Sequence, residues 1–341
     1  MSYVVNENRY DGVAYRQCGR SGLTLPPISL GTWLNFGGVN VFETFRGVIR
    51  RAFDRGVTHF DCANMYGPPN GSAEENLGRI LAQDFRSVRD ELVISTKAGY
   101  EMWPGPYGIG ASRKHLVASL DQSLKRLGVD YVDIFYVHRP WPEVPMEETM
   151  ATLAQLVKQG KALYVGVSSY SPERTRKAHE LLQLEGVPLL VHQPSYSMLN
   201  RHIEDGLLDA LGELGIGCIG FSPLAQGMLT SKYINGDGSS GRAGSGVTFS
   251  RDFLSEENLT KVRGLADIAK RRSQSLAQMA IAWVLRDPRV TSALIGARTV
   301  AQLDDSLDAL NQTEFSADEL DEIDRYATES GIDFWRDISS L

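Results

Sequence analysis

Gly215-Ile216-Gly217-Cys218-Ile219-Gly220 spells the pattern G-x-G-x-x-G. Placed between a first strand and the helix that follows it, this pattern signals a doubly wound nucleotide-binding sheet. Here the surroundings run the other way. Leu207 to Leu214 reads as a helix, and Cys218 to Phe221 as a strand that ends in Ser222-Pro223-Leu224. The glycines lead from a helix into a strand, so the fingerprint is rejected. What remains is one helix–strand unit, and the rest of the chain repeats it.

Toward the N-terminus, strands are expected at Ile28 to Leu30, Val57 to Phe60, Glu91 to Thr96, Tyr131 to Val137, Ala162 to Val167 and Leu189 to His192. Helices alternate with them. Phe42 to Asp54 places Phe45, Val48, Ile49, Ala52 and Phe53 on one face. Ser72 and Glu75 have the spacing of a capping box, ahead of an apolar stripe at Leu77, Ile80 and Leu81. Ser112 caps a helix that Gly128 ends, and Ser171-Pro172 opens another. Met146 to Lys158 lies between those two. Tyr15 to Cys18 and Leu23 to Leu25 read as a small hairpin around Gly19-Arg20-Ser21-Gly22. Toward the C-terminus come a Gly- and Ser-rich loop, Asn235 to Gly246, and helices over Asn258 to Arg272 and Ser275 to Arg286. A strand at Ala293 to Ile295 precedes helices capped by Thr299/Gln302 and Ser316/Glu319. Eight strands alternate with helices, no linker divides residues 1–341, and no dinucleotide fingerprint survives. The expected fold is α/β: one (β/α)₈ TIM barrel with an N-terminal hairpin and C-terminal loop and helix additions.

Composition limits the partners. The net charge of −7 argues against nucleic acid or an anionic membrane surface. No apolar run is long enough to span a bilayer and no signal-peptide core opens the chain, so a cytoplasmic location is the expectation. The three cysteines, Cys18, Cys62 and Cys218, lack C-x-x-C spacing, which argues against a disulfide framework or a zinc site.

Val57-Thr58-His59-Phe60-Asp61-Cys62-Ala63-Asn64-Met65-Tyr66-Gly67 carries the first candidate chemistry. Asp61 and Tyr66 follow the second strand, Lys97 ends the third and His138 ends the fourth. Consecutive strands of a barrel are neighbours, so these groups converge at the carboxyl-end mouth. A phenol beside an ammonium has its pKa lowered, and a carboxylate can keep that ammonium charged. An imidazole can orient a carbonyl oxygen. The set can polarise a carbonyl and supply its proton.

Phe60-Asp61-Cys62-Ala63-Asn64-Met65-Tyr66-Gly67, Ser95-Thr96-Lys97 and Phe135-Tyr136-Val137-His138-Arg139 resemble the catalytic motifs of the aldo-keto reductases, a likeness that runs from about Tyr15 to Leu310. It implies a barrel that uses NADPH to reduce small aldehydes, without metal. Tyr66 would be the general acid, Asp61 and Lys97 would tune it, and His138 would position the carbonyl. For the cofactor, Thr32-Trp33 resembles a first-strand contact, and Ser168-Ser169 with Gln193 the carboxamide site. Phe221 resembles the aromatic that stacks on the nicotinamide, and Ser222-Pro223-Leu224, Gln226 and Lys232 the pyrophosphate segment. Ile295-Gly296-Ala297-Arg298 with Gln302 resembles the adenosine-phosphate site. A phosphate there would meet the free N–H groups of the helix that starts near Thr299.

One departure is visible. Asp305-Ser306 stands where many relatives have Glu-Asn, so Ser306 offers adenine fewer hydrogen bonds, and Asp304 and Asp305 add negative charge. Tyr100 to Gly108 and the Gly67-Pro68-Pro69-Asn70-Gly71-Ser72 stretch resemble a bacterial branch acting on L-glyceraldehyde 3-phosphate or methylglyoxal-like aldehydes. In that branch Trp33, Trp103 and Tyr107 would wall the pocket beside Tyr66 and His138. Arg113, Lys114 and Arg139 are its candidate substrate-phosphate partners. A homo-oligomer is compatible with the likeness. That branch is similar to potassium-channel β subunits, so the alternative is a cofactor-holding auxiliary subunit with little turnover. His138 favours the enzyme, because the channel group typically has asparagine there. A barrel hydrolase lacks support: there is no H-x-H, no G-x-S-x-G and no carboxylate pair at strand ends. The tail, Gly331 to Leu341 with Phe334 and Trp335, could fold over the pocket or reach a neighbour.

Overall fold

A computed structural model describes residues 3–234, 249–333 and 338. Eight parallel strands close into a barrel. An antiparallel pair precedes them, β1 (Arg16–Gln17) and β2 (Thr24–Leu25). The barrel strands are β3 (Ile28–Gly31), β4 (His59–Asp61), β5 (Val93–Ala98), β6 (Val132–Val137), β7 (Ala162–Ser168), β8 (Leu189–Gln193), β9 (Gly217–Phe221) and β10 (Ser292–Ile295). Neighbours in the barrel are neighbours in sequence, and β10 closes it by pairing with both β9 and β3.

Helices cover the outside: α1 (Phe42–Asp54), α2 (Ser72–Ile80), α3 (Arg113–Leu127), α4 (Met146–Lys158), α5 (Pro172–Leu184), α6 (Leu207–Leu214), α7 (Glu256–Arg271), α8 (Leu276–Val284), α9 (Val300–Leu307) and α10 (Ala317–Asp324). The apolar stripe read for α1 is its buried face: Phe45, Val48, Ile49, Ala52 and Phe53. Helix α3 starts at Ser112, whose hydroxyl accepts from the His115 N–H, and ends at a left-handed Gly128. Ser171 caps α5 in the same way, with Pro172 in the first turn. Ser275/Gln278 and Ser316/Glu319 both form complete capping boxes.

The glycines of the rejected fingerprint have structural duties of their own. Gly215 ends α6 at φ 70°, a left-handed conformation that a side chain disfavours. A Cβ on Gly217 would lie 2.3 Å from Cys18 Sγ, so glycine lets the β1–β2 hairpin pack under β9. Cys18 and Leu25 of that hairpin join Val93, Ile134, Tyr136, Val191 and Ile219 in an interior cluster. The hairpin therefore plugs the barrel at the end where the strands begin.

Several local expectations need correction. Ser72 and Glu75 make no capping box. Gly71 at φ 88° occupies the cap, and the Ser72 hydroxyl donates to the Pro69 carbonyl at 2.6 Å and accepts from the Gly38 N–H at 3.0 Å. At α9 the Thr299 hydroxyl caps the Gln302 N–H, but the Gln302 side chain accepts from Arg298 N, so that box is half made. Strand β4 includes Asp61, and β5 continues past Lys97 to Ala98. The Asn235 to Gly246 loop lies wholly outside the described residues.

Candidate active site

Asp61 ends β4, in register with Gly31 on one side and Ser95 on the other. Lys97, two residues beyond Ser95, shares its inward face. The Lys97 ammonium donates to Asp61 Oδ2 and, at 2.8 Å, to the Cys62 carbonyl, and neither side chain of the ion pair is exposed. The loop after β4 brings Tyr66 over this pair, with Lys97 Nζ 5.2 Å from the Tyr66 ring centroid. That loop is tied to α2 by the Ala73 N–H, which donates to the Tyr66 carbonyl. His138 follows β6 directly, held by its N–H on the Ala98 carbonyl at 2.9 Å. Its ring lies 5.8 Å from that of Tyr66 and 4.7 Å edge-on from that of Tyr100. His138 Nδ1 is buried without a partner. The four predicted groups meet at the carboxyl ends of β4, β5 and β6.

Their electrostatics differ from expectation in one respect. The Tyr66 phenol is not lowered overall. Burial first, then the charge of Asp61, push it well above the ordinary 10.0. The ammonium is turned toward Asp61 and the Cys62 carbonyl instead. Tyr66 is thus a phenol at neutral pH, with its proton in place. Burial, followed by the charges of Lys97 and Arg139, pushes His138 well below 6.5. Its imidazole is neutral and keeps one N–H donor and one bare nitrogen.

The cluster opens into a cavity of about 880 Å³. From Trp33, Tyr66, Tyr100 and His138 it runs past Ser168, Ser169, Gln193 and Phe221, and on to Arg298, Gln302 and Ser306. A model of the aldo/keto reductase family matches residues 27–328. The chain belongs to this family. It is 56% identical over 341 residues to the L-glyceraldehyde 3-phosphate reductase of Escherichia coli (strain K12), covering 98% of this chain and 99% of that protein. The same identity and coverage hold for the protein of that name from Escherichia coli O157:H7. A protein of Oryza sativa subsp. japonica named "Probable voltage-gated potassium channel subunit beta" is 36% identical over 304 residues, covering 87% of this chain and 91% of that protein.

Most of the residues assigned to a cofactor line the cavity of this aldo/keto reductase. Beyond those already placed there, Asp61, Ser222, Pro223, Leu224, Gln226, Lys232 and Gly296 do so. Thr32 does not. It is fully buried, and its hydroxyl donates to the Asp61 carbonyl at 3.1 Å. Ser222 and Gln226 hold left-handed backbone at φ 56° and 60°, which turns the segment after β9 along the cavity wall. The Gln193 amide donates to Asp61 Oδ1 at 3.3 Å, and Ser168 donates to the Gln193 carbonyl at 2.8 Å.

At the far end, the Arg298 guanidinium donates to Asn35 Oδ1 at 3.1 Å. The Ser306 hydroxyl donates to the Gln302 carbonyl one turn earlier, which leaves it only acceptor capacity for a ligand. Asp304 turns away: it pairs with Arg51 of α1 and with Arg55 just after that helix, so its charge is matched. Asp305 alone faces the cavity, where Ser275 and Gln278 donate to it.

The substrate end also differs from expectation. Trp103 is absent from the cavity wall and lies against the His115 ring at 5.1 Å. Tyr107 is exposed and likewise off the wall. Tyr100 and Met65 line that end instead, and Lys270 and Asn35 line other parts of the cavity; none of the four was singled out from sequence. Tyr100 had a legible signal, since it lies two residues past the end of β5, near the level of His138 past β6. From the tail, Ile338 lines the cavity, while Phe334 and Trp335 lie outside the described residues.

Proposed function

We propose that this aldo/keto reductase reduces small aldehydes of the L-glyceraldehyde 3-phosphate or methylglyoxal type to alcohols, with NADPH as the reductant. The observation that carries the reading is the Asp61–Lys97 pair beneath the Tyr66 ring, at the head of a cavity of about 880 Å³. The lining suits that ligand. Phe221 offers an aromatic face, and Lys232, Lys270 and Arg298 offer cations along the cavity. The N-terminus of α9 opens there with free N–H groups. Such a cofactor, when bound, supplies a hydride to the carbonyl carbon.

The chain's own residues handle the oxygen. A neutral His138 ring can donate one hydrogen bond to the carbonyl oxygen and hold it beside Tyr66. The Tyr66 hydroxyl then gives its proton to the oxygen as negative charge develops there. The phenolate left behind lies over the Lys97 ammonium, which favours it at the moment it forms. The Asp61–Lys97 pair behind them is fully buried, so water does not compete for it.

Of the three cations considered for a substrate phosphate, Arg113 is engaged by Gln155, and Lys114 lies over the Tyr107 ring. Arg139 fits best. Its guanidinium lies between the Tyr100 and Trp141 rings, at 4.8 and 4.5 Å from their centroids, and its Nε is buried without a partner. Arg139 does not itself line the cavity; it stacks on Tyr100, which does, and a phosphate would reach the guanidinium edge past that ring.

The test is oxidation of NADPH with L-glyceraldehyde 3-phosphate and with methylglyoxal, using NADH as the control. Turnover with NADPH supports the reading, and a lower KM for the phosphorylated aldehyde supports Arg139. NADPH binding without consumption by either aldehyde would favour an auxiliary subunit.

A further inference from the structure

Behind the Lys97–Asp61 pair, the barrel interior holds a chain of polar side chains that the site described above does not use. The Ser95 hydroxyl donates to Asp61 Oδ1 at 2.6 Å. His59 Nε2 lies 2.9 Å from the same Ser95 oxygen, and His59 Nδ1 lies 2.8 Å from Ser29 Oγ. Ser29 Oγ lies in turn 2.7 Å from Ser292 Oγ. All five residues are fully buried. They converge because β10, β3, β4 and β5 are consecutive around the barrel, and because His59 and Asp61, two apart on β4, share its inward face.

The direction of every bond in this chain follows from one end. A carboxylate has no hydrogen to give, so Ser95 donates to Asp61. A hydroxyl has one hydrogen, so Ser95 must accept from His59, and Nε2 carries the proton. A neutral ring then leaves Nδ1 bare, and Ser29 donates to it. Ser29 has used its hydrogen, so Ser292 donates to Ser29. Neutrality of the ring is supported separately: burial pushes His59 down to about 4, against the pull of Asp61 and with the help of Lys97.

We propose that Ser292, Ser29, His59 and Ser95 form a one-way hydrogen-bond relay that ends on Asp61, and that Ser95 and His59 are positioning residues for it. The relay, through the shorter of the two bonds to it beside the Gln193 amide, holds Oδ1, which leaves Oδ2 turned toward Lys97. Lys97 is thereby fixed under the Tyr66 ring. Bonds aligned in one direction polarise one another, so the chain holds the carboxylate more firmly than Ser95 alone would. The catalytic part of this inference rests on the roles proposed above for Asp61, Lys97 and Tyr66. The direction of the relay does not.

The experiment uses the full chain with Ser95→Ala, His59→Leu, His59→Gln and Ser292→Ala. Nitrogen-15 NMR of labelled histidines, with His59 assigned through its variants, should show a neutral ring protonated on Nε2 at neutral pH. A charged ring, or a hydrogen on Nδ1, overturns the direction. Carbon-13 NMR of the Lys97 Cε should move in Ser95→Ala and His59→Leu and return toward the parent position in His59→Gln, whose amide keeps a donor for Ser95. The kcat should fall roughly tenfold to a hundredfold in Ser95→Ala and His59→Leu, with KM and NADPH affinity held. His59→Gln should restore most of the loss, and Ser292→Ala should lose least.

A His59→Leu protein with parental kcat and an unmoved Lys97 resonance, but a lowered thermal midpoint, would make His59 mere packing and overturn the positioning role. If the parent reduces no aldehyde yet shows the Nε2-protonated ring and the moved Lys97 resonance in His59→Leu, the relay stands and the reductase reading fails.

Discussion

Strand β5 meets two buried carboxylates, one on each face. Ser95 and Lys97 point into the barrel and meet Asp61. Thr96, between them, points outward, and its hydroxyl donates to Glu74 of α2. Neither carboxylate is exposed, and each pairs with a cation. The outer pair is complete: Arg126 of α3 donates to Glu74 at 2.7 Å, which ties α2, α3 and β5 together. The inner pair is complete on the carboxylate side only. Beyond its cation lie the Tyr66 ring and an open cavity. The same chemistry thus fastens the fold on one face of a strand and, in the proposed function, serves a reaction on the other, and the difference lies in what stands beyond the cation.

The largest test of this contrast is Tyr66→Phe, which keeps the ring over Lys97 and removes its proton. The expected result is a kcat loss of about 10²–10⁴-fold with cofactor affinity retained, read by turnover and by fluorescence titration. Parental rates would assign the acid elsewhere.

Breaking the inner pair should cost fold as well as rate. Lys97→Met leaves Asp61 buried without its cation and should destabilise by about 3–5 kcal/mol in denaturant unfolding. The double variant Asp61→Asn/Lys97→Met should regain part of that stability and none of the activity.

On the outer face Glu74→Gln should lower stability by about 3 kcal/mol while kcat stays parental, because Arg126 would lose its partner and nothing reactive lies beyond it. A large kcat loss there would erase the contrast.

Arg139→Met should raise KM for the phosphorylated aldehyde by about tenfold, the worth of a charge-assisted pair, and leave methylglyoxal untouched. The smallest effect is expected from pH. The depressed His138 stays neutral as pH falls through 6.5, and the raised Tyr66 stays protonated as pH rises through 10.0, so kcat should show no limb near either value. A sharp acid limb at 6.5 would mean that a charged His138 matters.

The alternation of helices and strands made the barrel legible, and the ends of its strands made Asp61, Tyr66, Lys97 and His138 legible. His59 was not. All three residues of β4 are buried, so no alternation of polar and apolar marks its inward face. Trp103 and Tyr107 lie in a glycine-rich loop whose path no periodicity sets, and the Met102 N–H bonded to the Gly108 carbonyl folds that loop back on itself, away from the cavity. The Ser72/Glu75 spacing misled because a left-handed Gly71 already held the cap. The sign of the Tyr66 shift failed for a related reason. Sequence indicates which groups are neighbours, but the direction a lysine turns depends on competing acceptors, here Asp61 and the Cys62 carbonyl.

The hairpin seated under β9 makes the barrel a vessel with one mouth. The floor of that vessel is a pair of two-residue strands at the far end of the molecule, held in place by the bare backbone of Gly217 that lets Cys18 close against it.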